Sequence, residues 1–322
     1  MTAPTLAGLL DGVLAAGPPT ASAVGCAHDH DLVDELRAQL EHAAESAVTG
    51  VDETLLPMRA PKDRIAKVLA CEQHLVATSS AGEERSDLSE SMVRGRVLDR
   101  LLHHHVHGGG AGRGAGAALA IAEGAFEAER DDEVIAWLGA RADARERLDE
   151  DAAAFAERLD GLGPIDAAWW PRCEERLRVD LAGGRLVCSA QLDLVVGGRG
   201  TDRPMVIVEA KSGQFGQDHR DGLFWYALLA ALRHGTPPAA VIGWSAWDGA
   251  GWSQPVSDAL LRGAAQRAVT AFERLGDLAR GRTPVRTACR ACRWCPEQTT
   301  CDVAVLDALD GDDDGDGDID DR

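Results

Sequence analysis

Residues 191–211 read Gln-Leu-Asp-Leu-Val-Val-Gly-Gly-Arg-Gly-Thr-Asp-Arg-Pro-Met-Val-Ile-Val-Glu-Ala-Lys, and this stretch decides the fold. Residues 191–196 alternate in polarity as a β-strand does, and residues 205–211 form a second strand. The intervening residues, 197–204, are rich in Gly, Asp and Pro, which favour turns. The stretch therefore predicts an antiparallel β-hairpin.

The hairpin brings two acidic residues and a lysine together. Folding it about the centre of its loop places Asp193 opposite Val208 or Glu209, where the Cβ atoms of facing residues are roughly 5 Å apart. Strand alternation puts Glu209 and Lys211 on the same face of the second strand. The sequence thus predicts a cluster of Asp193, Glu209 and Lys211.

Such a cluster suits a hard divalent cation. Two neighbouring carboxylates are costly as bare anions, and Mg²⁺ or Mn²⁺ relieves that cost while also binding water and phosphate oxygens. A bound metal lowers the pKa of a water ligand and neutralises charge on a phosphodiester. Lys211 is then expected to orient that water or to stabilise the developing negative charge. The alternative is an amphipathic hairpin whose charges lie on its solvated face.

Four of the eight cysteines lie within residues 289–301, Cys-Arg-Ala-Cys-Arg-Trp-Cys-Pro-Glu-Gln-Thr-Thr-Cys. Nothing else in the chain is typical of a secreted protein, so thiols this dense indicate zinc or an iron-sulfur cluster rather than disulfides. Cys292, Cys295 and Cys301 have the spacing C-x2-C-x5-C, and Cys289 adds a fourth thiol. A local four-cysteine zinc knuckle fits that spacing.

The order of these motifs resembles a known family. An early cysteine, Cys71, follows a short apolar-periodic helix; the acidic hairpin comes next, and the C-x2-C-x5-C run, with a proline after its middle thiol, ends the pattern. This arrangement is similar to that of the iron-sulfur nucleases of the RecB-like PD-(D/E)XK superfamily, including the AddB-type and CRISPR-associated exonucleases. The resemblance covers residues 62–301. It implies a [4Fe-4S] cluster held by Cys71, Cys292, Cys295 and Cys301, with Cys289 spare.

The resemblance also implies a fold and an activity. The expected fold is an α/β restriction-endonuclease-like core, a mixed central sheet flanked by helices and stapled by the iron-sulfur cluster. The expected activity is Mg²⁺-dependent DNA cleavage, as an exonuclease on single strands or duplex ends in DNA repair, recombination or defence. Asp193 and Glu209 would bind the metal and Lys211 would assist catalysis. DNA is the expected partner, together with a helicase or another repair or defence subunit.

Two further motifs of the family are matched here only in part. These nucleases have a Gln-x-x-x-Tyr helix after the Glu-x-Lys strand, and Tyr226, the one tyrosine of this chain, lies in a predicted helix at 218–234 and is assigned a catalytic role. The glutamine position is Gly222. The family histidine of a Gly-x-x-x-His helix is replaced by Asp99, an oxygen ligand that suits Mg²⁺.

These departures keep other functions open. Gly222 and Asp99 are compatible with a noncatalytic module that retains the nuclease fold and binds DNA or a helicase. A third hypothesis is a zinc-knuckle interaction protein in which the acids of the hairpin are incidental.

The chain divides into three expected parts. An N-terminal helical segment spans 1–60, the nuclease domain spans 61–302, and a disordered acidic tail spans 303–322. Within the domain we expect helices at 62–78 and 86–107, two helices between 117 and 158, a sheet beginning near residue 175, a strand at 239–246 and a helix at 256–280.

The charge distribution is uneven. The net charge is -20, and the stretch Asp307–Arg322 holds nine aspartates against one arginine. The stretch Arg262–Arg293 holds eight arginines against Glu273 and Asp277. It is expected to be either a surface that follows a phosphate backbone or an ordinary arginine-rich surface helix.

The sequence lacks an apolar run long enough to predict a membrane span. The N-terminus lacks a basic region before its apolar stretch, so no signal peptide is expected. These observations favour a cytoplasmic protein.

Overall fold

The computed structural model describes residues 28–80, 88–110, 116–198 and 203–304, together with residues 8, 10 and 12. Most of the expected N-terminal segment before residue 28 and nearly all of the expected acidic tail lie outside the described residues. So does the central part of the glycine-rich stretch around residue 112.

A six-stranded mixed sheet forms the centre of the fold. Its strands are β1 (Met58–Pro61), β2 (Arg172–Leu181), β3 (Leu186–Val196), β4 (Val206–Lys211), β5 (Ala240–Ser245) and β6 (Gly251–Pro255). The order is β1-β3-β4-β5-β6, with β2 paired to the other side of β3. The β1–β3 and β4–β5 pairs are parallel, and the remaining pairs are antiparallel.

Nine described helices cover the two faces of the sheet. They are α1 (His28–Val48), α2 (Lys62–Ala70), α3 (Glu72–Ser80), α4 (Glu90–Val106), α5 (Ala117–Glu129), α6 (Asp132–Ala140), α7 (Ala142–Asp160), α8 (Gln217–His234) and α9 (Asp258–Ala279). Helices α1, α2, α3, α8 and α9 share one apolar core with one face of the sheet. Helices α4 to α7 share a second core with the other face. The expected mixed α/β architecture, a sheet flanked by helices, is confirmed.

Helix α9 shows how the sequence produces this packing. The buried side chains of Leu261, Ala265, Ala268, Phe272 and Leu275 recur at helical spacing, so they form one apolar stripe. The Ser257 hydroxyl accepts the Leu260 N–H at 3.3 Å and caps the N-terminus. The stripe packs on α1, so α1 belongs to the same core as the sheet.

The elements differ from the sequence expectations in several places. The sheet does not begin near residue 175, because β1 already pairs with β3 at Met58–Pro61. This strand crosses the expected boundary between residues 60 and 61, and it has only four residues, too few for a clear alternation. The expected helix at 62–78 is two helices that meet at Cys71, whose backbone is extended. Strand β6 was not expected.

Three helices, α5, α6 and α7, fill the region where two were expected. The break between the first two falls at Arg130, which has a left-handed backbone, and Asp131 then caps the next helix through the Val134 N–H. No helix among the described residues is both long and apolar enough to span a membrane.

Candidate active site and cysteine cavity

The candidate active site lies where one strand exchanges neighbours. Strand β1 pairs with β3 at Leu186–Ser189, whereas β4 pairs with the same edge of β3 only at Leu194–Val196. Between these two ladders the edge of β3 faces neither strand. The gap leaves room for side chains in the middle of the sheet, and Asp193 lies there.

The register of the hairpin agrees with the sequence prediction. The last ladder pair is Leu194 with Val208, which leaves Asp193 one step further along, level with Glu209. The Oδ2 atom of Asp193 accepts the Ala210 N–H at 2.8 Å, in place of a bond from strand to strand. Pairing with β2 is also interrupted here, because Glu174 has a left-handed φ of 53°. Asp193 thus lies at an irregular step of both ladders.

Glu209 and Lys211 share a face of β4, as strand alternation requires. Both side chains are buried, and Lys211 Nζ lies 3.1 Å from Glu209 Oε1. The Oε2 atom of Glu209 is buried and accepts no hydrogen bond from any residue that the structure describes. A buried carboxylate oxygen without a donor is costly unless a cation or ordered water meets it.

The pKa values of the two carboxyl groups are shifted in opposite directions. Burial raises the pKa of Asp193 well above its usual value, and the neighbouring charge of Glu209 raises it further. Burial also acts to raise the pKa of Glu209, but two ammonium groups outweigh it and the pKa of Glu209 is lowered. These groups belong to Lys211 and to Lys62. The surrounding charges therefore favour the ionised form of Glu209 more than that of Asp193.

The other two predicted site residues lie close to this cluster. Asp99 is on α4, and its charge adds to the rise in the pKa of Asp193. Tyr226 is buried on α8, and its ring centroid lies 5.1 Å from the Nζ atom of Lys62. The structure brings both side chains to the neighbourhood of the hairpin acids, and their roles as ligand and catalytic residue stay predictions.

Lys62 was missed by the sequence analysis. It begins α2, immediately after β1, and its Nζ atom lies 3.1 Å from Glu209 Oε1. A compositional signal was available: the chain has only three lysines among its 33 basic residues, and two of them, Lys62 and Lys211, meet at this oxygen. An ammonium is a compact point charge that an arginine does not replace.

His219 on α8 was also missed. Its Nδ1 atom accepts the Gly216 N–H at 2.9 Å, so the neutral ring carries its hydrogen on Nε2. Burial lowers the pKa of His219 to about 4, assisted by the positive charges of Lys211 and Lys62. The ring is thus a neutral polar group beside two ammonium groups.

Glu175, at the start of the strand preceding the hairpin, is bound elsewhere. Arg172 Nε lies 2.6 Å from one of its oxygens, and His234 Nε2 lies 3.6 Å from the other. Leu192 is its partner on β3, so the side chain belongs to the face that packs on α8. Glu175 provides a matched acidic residue next to the site for control experiments.

A second site is formed by the cysteines. Cys71, Cys289, Cys292, Cys295 and Cys301 all line one cavity. We call it the cysteine cavity. Cys71 and the C-terminal thiols are far apart in sequence, so their meeting is a property of the fold.

Hydrogen bonds hold the two halves of this cavity together. The buried Glu72 accepts a bond from Arg282 Nη2 at 2.9 Å and another from the Val285 N–H at 2.8 Å. Gln73 donates to both oxygens of Glu297, at 3.0 and 2.9 Å. Residues 71–73 therefore fix the C-terminal segment against α3.

The thiols themselves are weakly bonded to the protein. The Thr287 N–H lies 3.5 Å from the Cys71 sulfur, and the Cys289 N–H lies 3.4 Å from the Cys292 sulfur. Burial raises the pKa of Cys289. Over the described ranges, no three His, Cys, Asp or Glu side chains are arranged to hold a single metal ion.

The arginines of 262–293 mostly make structural contacts. Arg274 donates to the carbonyl oxygens of Val68 and Leu69, where α2 ends. Arg280 donates to the Ala47 and Thr49 carbonyls at the end of α1. Further pairs join Arg262 to Glu35, Arg267 to Asp221, Arg282 to Glu72 and Arg286 to Asp302. These contacts favour the interpretation as ordinary arginine-rich surface over a continuous phosphate-binding one.

Comparison with known proteins gives distant likenesses. No model of a known protein family matches the sequence, and the search of curated proteins gives no match. Among solved structures the chain is similar to a protein from Eubacterium rectale named "Putative exonuclease", at 12% identity and a TM-score of 0.47 over 80% of this chain and 94% of that one. It is also similar to the protein SSO0001, at 12% identity and a TM-score of 0.37 over 84% and 96%. TM-scores this low carry no argument about function, which has to be inferred from the site.

Proposed function

We propose that this protein is a metal-dependent DNA nuclease, an exonuclease acting on single strands or duplex ends. One observation carries the proposal: Asp193 and Glu209 lie level with each other just past the end of the β3–β4 ladder, and Lys211 lies beside Glu209. This combination of two carboxylates and an ammonium suits hydrolysis of a phosphodiester.

The donor set fits a hard cation. Asp193 uses one oxygen to accept the Ala210 N–H, and Glu209 uses Oε1 for its two ammonium partners. The Oε2 atom of Glu209 accepts no bond from the described residues. Asp193 and Glu209 would hold Mg²⁺ or Mn²⁺, with waters and phosphate oxygens completing the shell. The described structure does not arrange Asp99 with them around one ion, so its role as a third ligand stays a prediction. When bound, the metal would lower the pKa of a water ligand and neutralise charge on the phosphate.

The remaining side chains would orient the Glu209 carboxylate and compensate the negative charge that develops on the phosphate. Glu209 is anchored through Oε1, so its carboxylate plane is fixed before substrate arrives. Lys211, buried at the end of β4, supplies a fixed positive charge where negative charge develops on the phosphate. Tyr226, whose ring centroid lies 5.1 Å from the Lys62 ammonium, is proposed to assist this cluster.

A cleavage assay tests the function. Purified protein with Mg²⁺ is expected to degrade single-stranded DNA or to shorten duplexes from their ends, and a chelator is expected to stop it. Glu209→Gln removes the ionised carboxylate and should reduce the rate by about 10²-fold or more. Glu175→Gln, a matched change outside the cluster, should leave the rate within a few-fold. Cleavage that persists in the chelator or in Glu209→Gln contradicts the proposal.

We further propose that the cysteine cavity holds a [4Fe-4S] cluster through Cys71, Cys292, Cys295 and Cys301. The presence of Cys71 in the same cavity as the C-terminal thiols supports this ligand set over a purely local zinc knuckle. The cluster's contribution is structural, because linking residues so distant in sequence restricts the unfolded chain.

Metal analysis of anaerobically purified protein distinguishes the [4Fe-4S] ligand set from the local zinc knuckle. About four irons per chain are expected for a [4Fe-4S] cluster. Cys289→Ser should retain the iron, because Cys289 is the fifth thiol. One zinc per chain without iron, or loss of metal from Cys289→Ser, contradicts the ligand set, because the local knuckle needs all four C-terminal thiols.

A further inference from the structure

Lys62 and Lys211 converge on the same oxygen of Glu209 from different parts of the chain. Both Nζ atoms lie 3.1 Å from Oε1, and Lys62 reaches it from the first turn of α2 with a side chain only 20% exposed. A hydrogen bond between charged groups at such a buried carboxylate fixes its geometry as well as its charge. Oε1 therefore has two charged partners, whereas Oε2 has none among the described residues.

Helix α8 shapes the space that Lys62 occupies. A Cβ atom added at Gly222 would lie 2.9 Å from Lys62 Cδ, closer than two carbon atoms approach without a shift. One turn further along, the ring centroid of Tyr226 lies 5.1 Å from the Lys62 ammonium, a distance that suits a cation–π contact. Gly222 and Tyr226 thus form two sides of a slot for the lysine. The glutamine that the family resemblance places at 222 would collide with it.

We propose that Lys62 is a positioning residue of the active site and that Gly222 is glycine in order to admit it. Lys62 holds Glu209 through Oε1, so that Oε2 faces away from the ammonium groups and is available to a cation. This arrangement explains the departure at 222 without loss of chemistry: the missing side chain on α8 makes room for a cation from α2. Its catalytic consequence rests on the proposed nuclease function.

Steady-state kinetics separates positioning from two simpler roles. Lys62→Met keeps an unbranched side chain that is one atom shorter and removes the charge, and we expect kcat to fall by about tenfold to a hundredfold, the size of one lost charged hydrogen bond. The KM for DNA should change little, because Lys62 acts through Glu209. A rise in KM with unchanged kcat would instead identify a phosphate contact, and unchanged kinetics would identify an ordinary ion pair. Either result overturns the proposal. Lys67→Met, on the same helix, is the control.

The role of Gly222 is tested by combining substitutions. Gly222→Ala should reduce kcat to about the level of Lys62→Met, because the added methyl group displaces the lysine. In the Lys62→Met background it should cause no further loss. Gly263→Ala, at a helix position of α9 where a Cβ meets no atom within 4 Å, should have no effect. Wild-type activity in Gly222→Ala, or losses that multiply in the double variant, would contradict the coupling.

Unfolding measurements keep the proposal testable even if DNA is not the substrate. Urea denaturation of wild type, Lys62→Met, Glu209→Gln and the double variant, without added Mg²⁺, gives the coupling between the two side chains. We expect a coupling of about tenfold or more in the unfolding equilibrium constant. No coupling would overturn the Lys62 proposal, whereas coupling in a protein that cleaves no DNA would refute only the nuclease function.

Discussion

The candidate active site and the cysteine cavity are built in different ways. Asp193, Glu209 and Lys211 lie on two neighbouring strands, and the pairing of these strands brings Asp193 level with Glu209. The thiols lie in a short segment with only two 3-10 turns after α9, apart from Cys71 at the junction of two helices. The first site is organised by the sheet. The second depends on a few hydrogen bonds and on whatever ligand the thiols bind.

This difference predicts which site tolerates loss of its proposed metal. A site formed by strand pairing keeps its geometry without a cation, because the ladder and the core on both faces remain. A site formed by irregular backbone is stabilised by its ligand, since metal binding and local folding are then the same event. Substitutions at the two sites should therefore fail in different ways, one in catalysis and the other in stability.

The largest effect is expected from Lys211→Met. Its ammonium is a fixed charge beside Glu209, and removing such a group in a buried site costs about 10²- to 10³-fold in kcat. Iron content should be unchanged, because the cysteine cavity does not involve β4. The measurement is cleavage rate and iron per chain on the same sample. Loss of iron together with activity would show that the two sites are not separate.

A second large effect is expected from Cys71→Ala. Without its distant thiol the cavity should lose the iron, and the free energy of unfolding should fall by roughly 2–5 kcal/mol, the range for removing a long-range crosslink. Cys188→Ala provides the control, since Cys188 is buried in β3 and lines no part of the cavity. The Cys188→Ala variant can be less stable than wild type, but it should retain its iron. Full iron content in Cys71→Ala would contradict the ligand set.

A smaller effect on stability is expected from protonation of Glu72 at low pH, because its carboxylate anchors the C-terminal segment that carries the cysteines. Burial acts to raise the pKa of Glu72, but its bonds to Arg282 and to the Val285 N–H outweigh this, and the pKa lies below its usual value. Because the folded pKa is lowered, the stabilisation is present above the unfolded pKa of about 4.5 and is lost as pH falls through the folded pKa.

Glu72→Gln tests this contribution. At neutral pH the variant should be less stable than wild type by about 1–3 kcal/mol, because a charged hydrogen bond is replaced by a neutral one. The difference should shrink as the pH is lowered past about 4.5. Urea denaturation over a pH series measures it. A difference that is constant with pH would mean that the carboxylate charge does not anchor the segment.

The sequence predicted the parts of the candidate active site that depend on local pairing. The register of Asp193 against Glu209 follows from the length of one hairpin loop, and strand alternation sets the side shared by Glu209 and Lys211. Lys62 could not be predicted this way, because α2 and β4 are distant in sequence. They come close only when β1 and β4 have both paired with β3. Its single advance signal was the scarcity of lysine in a chain rich in arginine.

The short strands and the arginine contacts could not be predicted from the sequence for a similar reason. Strand β1 has four residues, and its identity as a strand comes from pairing with β3. The arginines of 262–293 form a positive run in the sequence, but Arg274 and Arg280 donate to carbonyl oxygens at the ends of α2 and α1. Sequence shows the charge of a side chain but not the group that compensates it.

The most direct test of the account measures iron and DNA cleavage on the same anaerobic preparations of wild type and Glu209→Gln. The account predicts about four irons per chain in both proteins, Mg²⁺-dependent degradation of DNA by wild type, and loss of that degradation in the variant. Undiminished cleavage by Glu209→Gln, or loss of its iron, would contradict the separation of a catalytic carboxylate site from a structural cysteine cavity.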